Sequence, residues 1–124
     1  MNNYSILNAL QSFSLHRNLF PVPIVAPTNV QASDPETTSI KLSWFFENNV
    51  RDVLGILTGF RIFYKLSSNN SAPEQVHEVG ADEREAQITE LNIYRFYTFS
   101  VAAMTSKGYG NISANVSLRT LGTG

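Results

Sequence analysis

The chain has 124 residues, which fits one domain of ordinary size and leaves little room for a second. Hydrophobic residues make up 43% and charged residues 15%, so the chain can fill an apolar core and is not a disordered polymer. Nine Lys and Arg against ten Asp and Glu give a formal charge of −1 with no basic run, which disfavours sequence-general nucleic-acid binding.

Residues 1–25 read as a tail or interdomain linker. Ile6, Leu7, Leu10 and Phe13 sit at loosely helical spacing, then Pro21, Pro23 and Pro27 follow in quick succession. Short isolated helices are marginal in water, and the Pro-Val-Pro stretch favours extended geometry. Met1 to Leu10 has no charged leader before a compact apolar stretch, so no signal peptide is read there. The expectation is a piece of a longer secreted or membrane protein, or a cytosolic one.

From Asn29 onward the hydrophobic period is two, and short runs of Val, Ile, Thr, Phe and Tyr alternate with Asn, Asp, Gly, Ser and Pro clusters. A first strand is expected over Asn29–Ser33 and a second near residues 38–46. In the second, Ile40, Leu42 and Trp44 face inward and one of Phe45 or Phe46 projects outward. A long strand runs from Leu57 to Leu66, with Phe60, Ile62 and Tyr64 inward and Phe63 outward. Val76 and Val79 mark an edge segment, and Ala86 and Ile88 a short strand. Tyr97, Phe99, Val101 and Ala103 define the next, and Ile112, Ala114, Val116 and Leu118 a last one, with Lys107 to Gly110 as the hairpin tip before it. Seven short strands in under a hundred residues need two sheets, so the predicted fold is an all-β, seven-stranded antiparallel sandwich.

Cysteine is absent, which removes disulfides, thiolate metal sites and cysteine nucleophiles together. No apolar window is long enough to span a bilayer, so no direct membrane insertion is expected. His16 and His77 lie in different segments and neither has a companion motif for metal binding or acid–base work. Gly108-Tyr109-Gly110 lacks the third glycine and following helix of a dinucleotide fingerprint. Asp82, Glu83 and Glu85, interrupted by Arg84, are too few and too irregular for a calcium loop and read as a solvated turn. No catalytic residue, metal or cofactor is expected. Candidate contacts for a partner protein are Phe63, on the outward parity of its strand, and Lys107 and Tyr109 at the tip, since loop tips carry recognition on rigid scaffolds. Asn-x-Ser/Thr sequons stand at Asn3, Asn69, Asn111 and Asn115. Asn69 is expected in a loop, Asn111 at a hairpin end and Asn115 on the outward side of the last strand, each a position for a glycan.

Over residues 26–121 the chain resembles a fibronectin type III domain, an immunoglobulin-like sandwich. Pro27 and Val30 match its opening, Trp44 its inward tryptophan, and Gly59, Phe60, Ile62 and Tyr64 its third strand. Leu91, six residues before Tyr97, and then Phe99, Val101 and Ala103 fit its most diagnostic stretch, followed by Gly108, Gly110 and Ser113. The resemblance implies structural roles for Trp44, Tyr64, Leu91, Tyr97 and Val101. Tyr97 would form a tyrosine corner, its hydroxyl bonding a backbone group a few residues upstream. Ile93 and Arg95 replace residues common at that corner. Residues 122–124 fall outside as a short tail. Arg-Gly-Asp and Trp-Ser-x-Trp-Ser sequences are absent. The resemblance implies a non-catalytic interaction and spacer module from the extracellular region of an adhesion molecule or receptor, whose partners are other proteins or neighbouring domains. The alternative is an intracellular scaffold module of a giant muscle-type or cytoskeletal protein, and cysteine content does not separate the two compartments.

Overall fold

A computed structural model describes residues 25–47, 56–68 and 71–123. The expectations for the tail, for Asn3, His16 and Asn69, and for most of the Glu47–Gly55 break lie outside these residues. The described chain forms eight strands: β1 (Thr28–Ser33), β2 (Ile40–Phe45), β3 (Leu57–Leu66), β4 (Gln75–Gly80), β5 (Glu85–Ile88), β6 (Phe96–Thr105), β7 (Gly108–Ile112) and β8 (Val116–Arg119). All pairings are antiparallel. One sheet has the order β1-β2-β5; the other runs β4-β3-β6-β7, with β8 also paired to β6.

Alternation drives the assembly, because a strand with one apolar face is stable only when that face is covered. On β2, Ile40 and Leu42 are fully buried and Trp44 nearly so, while Phe45 stands exposed. On β3 and β6, Phe60, Ile62, Phe99 and Val101 are completely enclosed. The two inner faces interlock through rings: Phe60 meets Trp44 at 5.4 Å and Phe46, edge to face, at 5.3 Å between centroids, while within the larger sheet Tyr64 stacks on its strand neighbour Phe99 at 6.1 Å. Trp44 Nε1 has no hydrogen-bond partner among the described residues, so the indole serves here as apolar bulk. Arg84 covers one end of this aromatic cluster. Its guanidinium lies 4.9 Å from the Phe60 centroid and donates to the carbonyls of Phe46, Ala81 and Glu83.

The predicted last strand is two strands, which raises the count from seven to eight. β7 pairs with the Ala102–Thr105 end of β6 and β8 with the Phe96–Phe99 end. Between them Ser113 turns its hydroxyl inward to accept the Val101 N–H at 2.9 Å, while its own N–H donates to the Val101 carbonyl. A side-chain oxygen thus replaces a ladder carbonyl, and Val101 keeps both of its backbone groups paired where the strand breaks. The turn also shifts: it falls at Ser106 and Lys107, and Gly108 already belongs to β7 with φ of 140°, a conformation that favours glycine. Gly59 is required for another reason, since a Cβ there would overlap the Val79 carbonyl oxygen of β4.

Candidate interaction surfaces

The tyrosine corner orders the end of the sandwich where the chain crosses between sheets. Tyr97 and Leu91 are both 4% exposed. The Tyr97 hydroxyl accepts the Asn92 N–H at 2.8 Å. Asn92 is gripped from the other side as well, because its carbonyl accepts the Thr120 hydroxyl at 2.7 Å. That same hydroxyl oxygen accepts the Arg95 N–H at 3.0 Å, and the Thr120 N–H donates to the Arg95 carbonyl. Thr120 is fully buried. Reading the sequence missed it, because a threonine near the C-terminus of a strand carries no pattern that separates a lock from a surface residue.

The outer face of the larger sheet carries the predicted contact residues. Directly paired residues share a face, so Arg61, Phe63 and Lys65 of β3 point away from the core alongside Val76 and Glu78 of β4. Phe63 nevertheless is only 7% exposed, against the expectation of a projecting ring. Tyr109 covers it, edge to face at 5.3 Å. Tyr109 itself sits within β7, paired with Met104, and not at the hairpin tip. Arg61 extends over Tyr109 at 5.3 Å from the ring centroid while its guanidinium pairs with Glu78 at 2.6 Å. Val76, Tyr109 and Ile112 remain exposed on this side. Lys107 occupies the turn, its N–H donating to the Thr105 hydroxyl. The structure thus brings Phe63 and Tyr109 together and leaves Lys107 beside them at the turn.

Asn111 is exposed on β7, and Asn115 is exposed in the β7–β8 connection, not on the last strand as expected. His77 is exposed on the edge strand β4. No group of three or more His, Cys, Asp or Glu residues able to hold a metal occurs among the described residues. No described helix is long and apolar enough to cross a membrane. Tyr64 has its phenol pushed above the ordinary value by burial first, then by the charges of Glu90 and Tyr97.

Two antiparallel sheets, a filled aromatic core and a tyrosine corner define an immunoglobulin-like β-sandwich module. Its family follows from sequence: the fibronectin type III domain pattern matches residues 25–119, and the chain belongs to that family. Human phosphatidylinositol phosphatase PTPRQ is 34% identical over 110 residues, covering 81% of this chain and 4% of that protein. Neural cell adhesion molecule L1 of Takifugu rubripes is 31% identical over 105 residues, covering 80% of this chain and 8% of that protein. The chain therefore spans less than a tenth of the length of either relative. The solution structure of the third fibronectin III domain of human KIAA0343 protein superposes with a TM-score of 0.77 at 22% identity, over 90% of this chain and 93% of that one.

Proposed function

We propose that this domain is a non-catalytic protein–protein interaction and spacer module in the extracellular region of a cell-adhesion molecule or receptor. The observation that carries this reading is the similarity to L1, an adhesion molecule, over four-fifths of the chain. The match to a phosphatase covers 4% of that enzyme, so its chemistry stays with the enzyme. The geometry is consistent with a module that works through its surfaces: the interior between the sheets is filled by side chains, and exposed apolar residues lie on the outer faces. Contact through the larger sheet would pass by way of Tyr109, Val76 and Ile112 with Lys107 at the rim, and Phe63 would support Tyr109 from beneath. Asn111 and Asn115 are accessible for glycans in a secreted protein.

The test is surface display. The full-length product, tagged beside this domain and expressed in animal cells, should stain on intact cells. Its mobility should shift on glycosidase treatment, with the shift reduced in an Asn111→Gln, Asn115→Gln double variant. Staining only after permeabilisation would refute the reading in favour of an intracellular scaffold.

A further inference from the structure

At the corner end of the larger sheet a second exposed cluster forms that the outward-facing contacts above do not include. Ile93, Tyr94, Phe96 and Leu121 are each 42 to 53% exposed. Arg119, opposite Phe96 in the β6–β8 register, lies among them. Its guanidinium carbon stands 4.3 Å from the Tyr94 centroid and 5.7 Å from that of Phe96.

Two features set this cluster apart. The first is unmatched charge. Lys41 sits between Asp34 and Glu85, Arg61 pairs with Glu78, and Arg84 is spent on backbone carbonyls. Arg119 forms an ion pair with none of the described carboxylates. The nearby Glu36 holds Leu121 through its backbone carbonyl, while its carboxylate accepts the Ser39 hydroxyl. Arg95, the other cation here, donates to the Tyr94 carbonyl. Stacking occupies the faces of a guanidinium and leaves its in-plane N–H donors available for a planar anion. The second feature is strain. Tyr94 has φ of 56°, a left-handed conformation unfavourable to a bulky L residue. Its N–H donates to the Leu121 carbonyl and its ring lies against Gly122, where a Cβ would come within 3.2 Å of Cδ1. The backbone holds an aromatic ring at a position glycine would occupy more easily, and that ring fixes Arg119.

We propose that this pole docks an acidic segment of a partner protein. A carboxylate takes the edge of the Arg119 guanidinium, and flanking apolar side chains lie on Tyr94, Phe96 and Leu121. The proposal rests on the reading of the domain as an interaction module and names the chemistry of its partner. Charge complementarity selects the occupant: the cluster is apolar and cationic, and none of the described carboxylates pairs with its arginine, so a carboxylate inside an apolar sequence matches both parts.

The test uses the whole 124-residue chain, isotopically labelled for NMR, titrated with the peptide acetyl-Gly-Leu-Glu-Leu-Glu-Gly-amide and with its glutamine counterpart. The glutamate peptide should shift the amides of residues 94–96 and 117–121, with affinity about tenfold above that of the glutamine peptide. Arg119→Gln should remove that preference. Tyr94→Gly, which relieves the strained φ while deleting the ring, should weaken binding by about tenfold without lowering the melting temperature. Equal affinity for the two peptides, or no shift at millimolar peptide, overturns the proposal. Shifts confined to the Tyr109 region overturn this site while leaving the module reading intact. Phosphatidylserine vesicles that bind at this pole in place of the peptide, or self-association through it, overturn the choice of occupant. Surface staining of the full-length product reports separately on the module reading.

Discussion

Replacing Tyr97 by Phe removes one oxygen and leaves a ring of nearly the same shape. The ring is 4% exposed and packs beside Phe99 at 6.4 Å, so the apolar contacts survive. What is lost is the acceptor for the Asn92 N–H at 2.8 Å. That amide cannot swing freely to water, because the carbonyl of the same residue is tied to Thr120. An orphaned buried donor costs about 1–3 kcal/mol. The Asn92 residue is exposed overall, which lets water reach part of the site and places the cost nearer about 1–2 kcal/mol. For a domain of this size each kcal/mol lowers the melting temperature by about 4–8 °C. Tyr94→Phe is the matched control: its ring is 53% exposed, so losing that hydroxyl should cost no more than about 0.5 kcal/mol. Urea melts of the two variants, compared at constant m-value, decide the matter. Equal losses, or a larger loss for Tyr94→Phe, would refute the assignment of the corner hydrogen bond as the stabilising element.

Three further outcomes follow from the same contacts. Thr120→Val should cost about 2–3 kcal/mol, because one buried hydroxyl serves both the Asn92 carbonyl and the Arg95 N–H, and Thr120→Ser should recover part of it in the same melts. Gly59→Ala should cost about 1–3 kcal/mol by driving β3 and β4 apart, whereas Gly80→Ala, whose Cβ would meet open space, should stay within about 0.5 kcal/mol. Faster amide exchange along β4 in the first variant but not the second would locate the effect. Tyr64 holds its proton more tightly when folded, so its contribution is fully present below 10.0, the ordinary phenol value, and is lost as pH rises through the higher folded value. Tyr64→Phe should therefore flatten the alkaline fall in stability, and identical alkaline slopes for the two proteins would contradict this.

Period-two patterning placed β1 to β6 because each strand turns one face toward the space between the sheets, and alternation is the direct imprint of that constraint. Leu57–Leu66 was legible to the residue for this reason. The pattern failed where a side chain took over a backbone role. Ile112, Ala114, Val116 and Leu118 alternate without interruption, yet Ser113 substitutes its hydroxyl for a ladder carbonyl and divides the segment. Alternation also reports which way a residue points but not what lies over it. Phe63 does point outward, and the ring of Tyr109, reaching from β7 across β6, covers it. The shift of that tyrosine from tip to strand follows from a turn centred on Ser106 and Lys107, two residues earlier than the Gly108-Tyr109 centre the glycine pattern suggested. The cluster of Tyr94, Phe96 and Arg119 was not legible at all, because it joins a turn, one strand and another strand that reach one face only through the β6–β8 register.

The same residue type does three different jobs in this sandwich, and the neighbours decide which. Arg84 stacks on a buried ring and spends its donors on carbonyls, so it closes the core. Arg61 stacks on an exposed ring and is neutralised by Glu78, so it knits the outer face together and offers little charge to a partner. Arg119 stacks on exposed rings without a carboxylate, and its aromatic neighbours fix its orientation without cancelling its charge. A guanidinium that is already oriented loses less freedom on meeting an anion than a flexible surface cation does, which lowers the entropic cost of recognition. The fold supplies that orientation through backbone contacts at Tyr94, Arg95, Thr120 and Leu121, so the corner that holds the two sheets together also holds an arginine, stacked on exposed rings, whose charge no described carboxylate cancels.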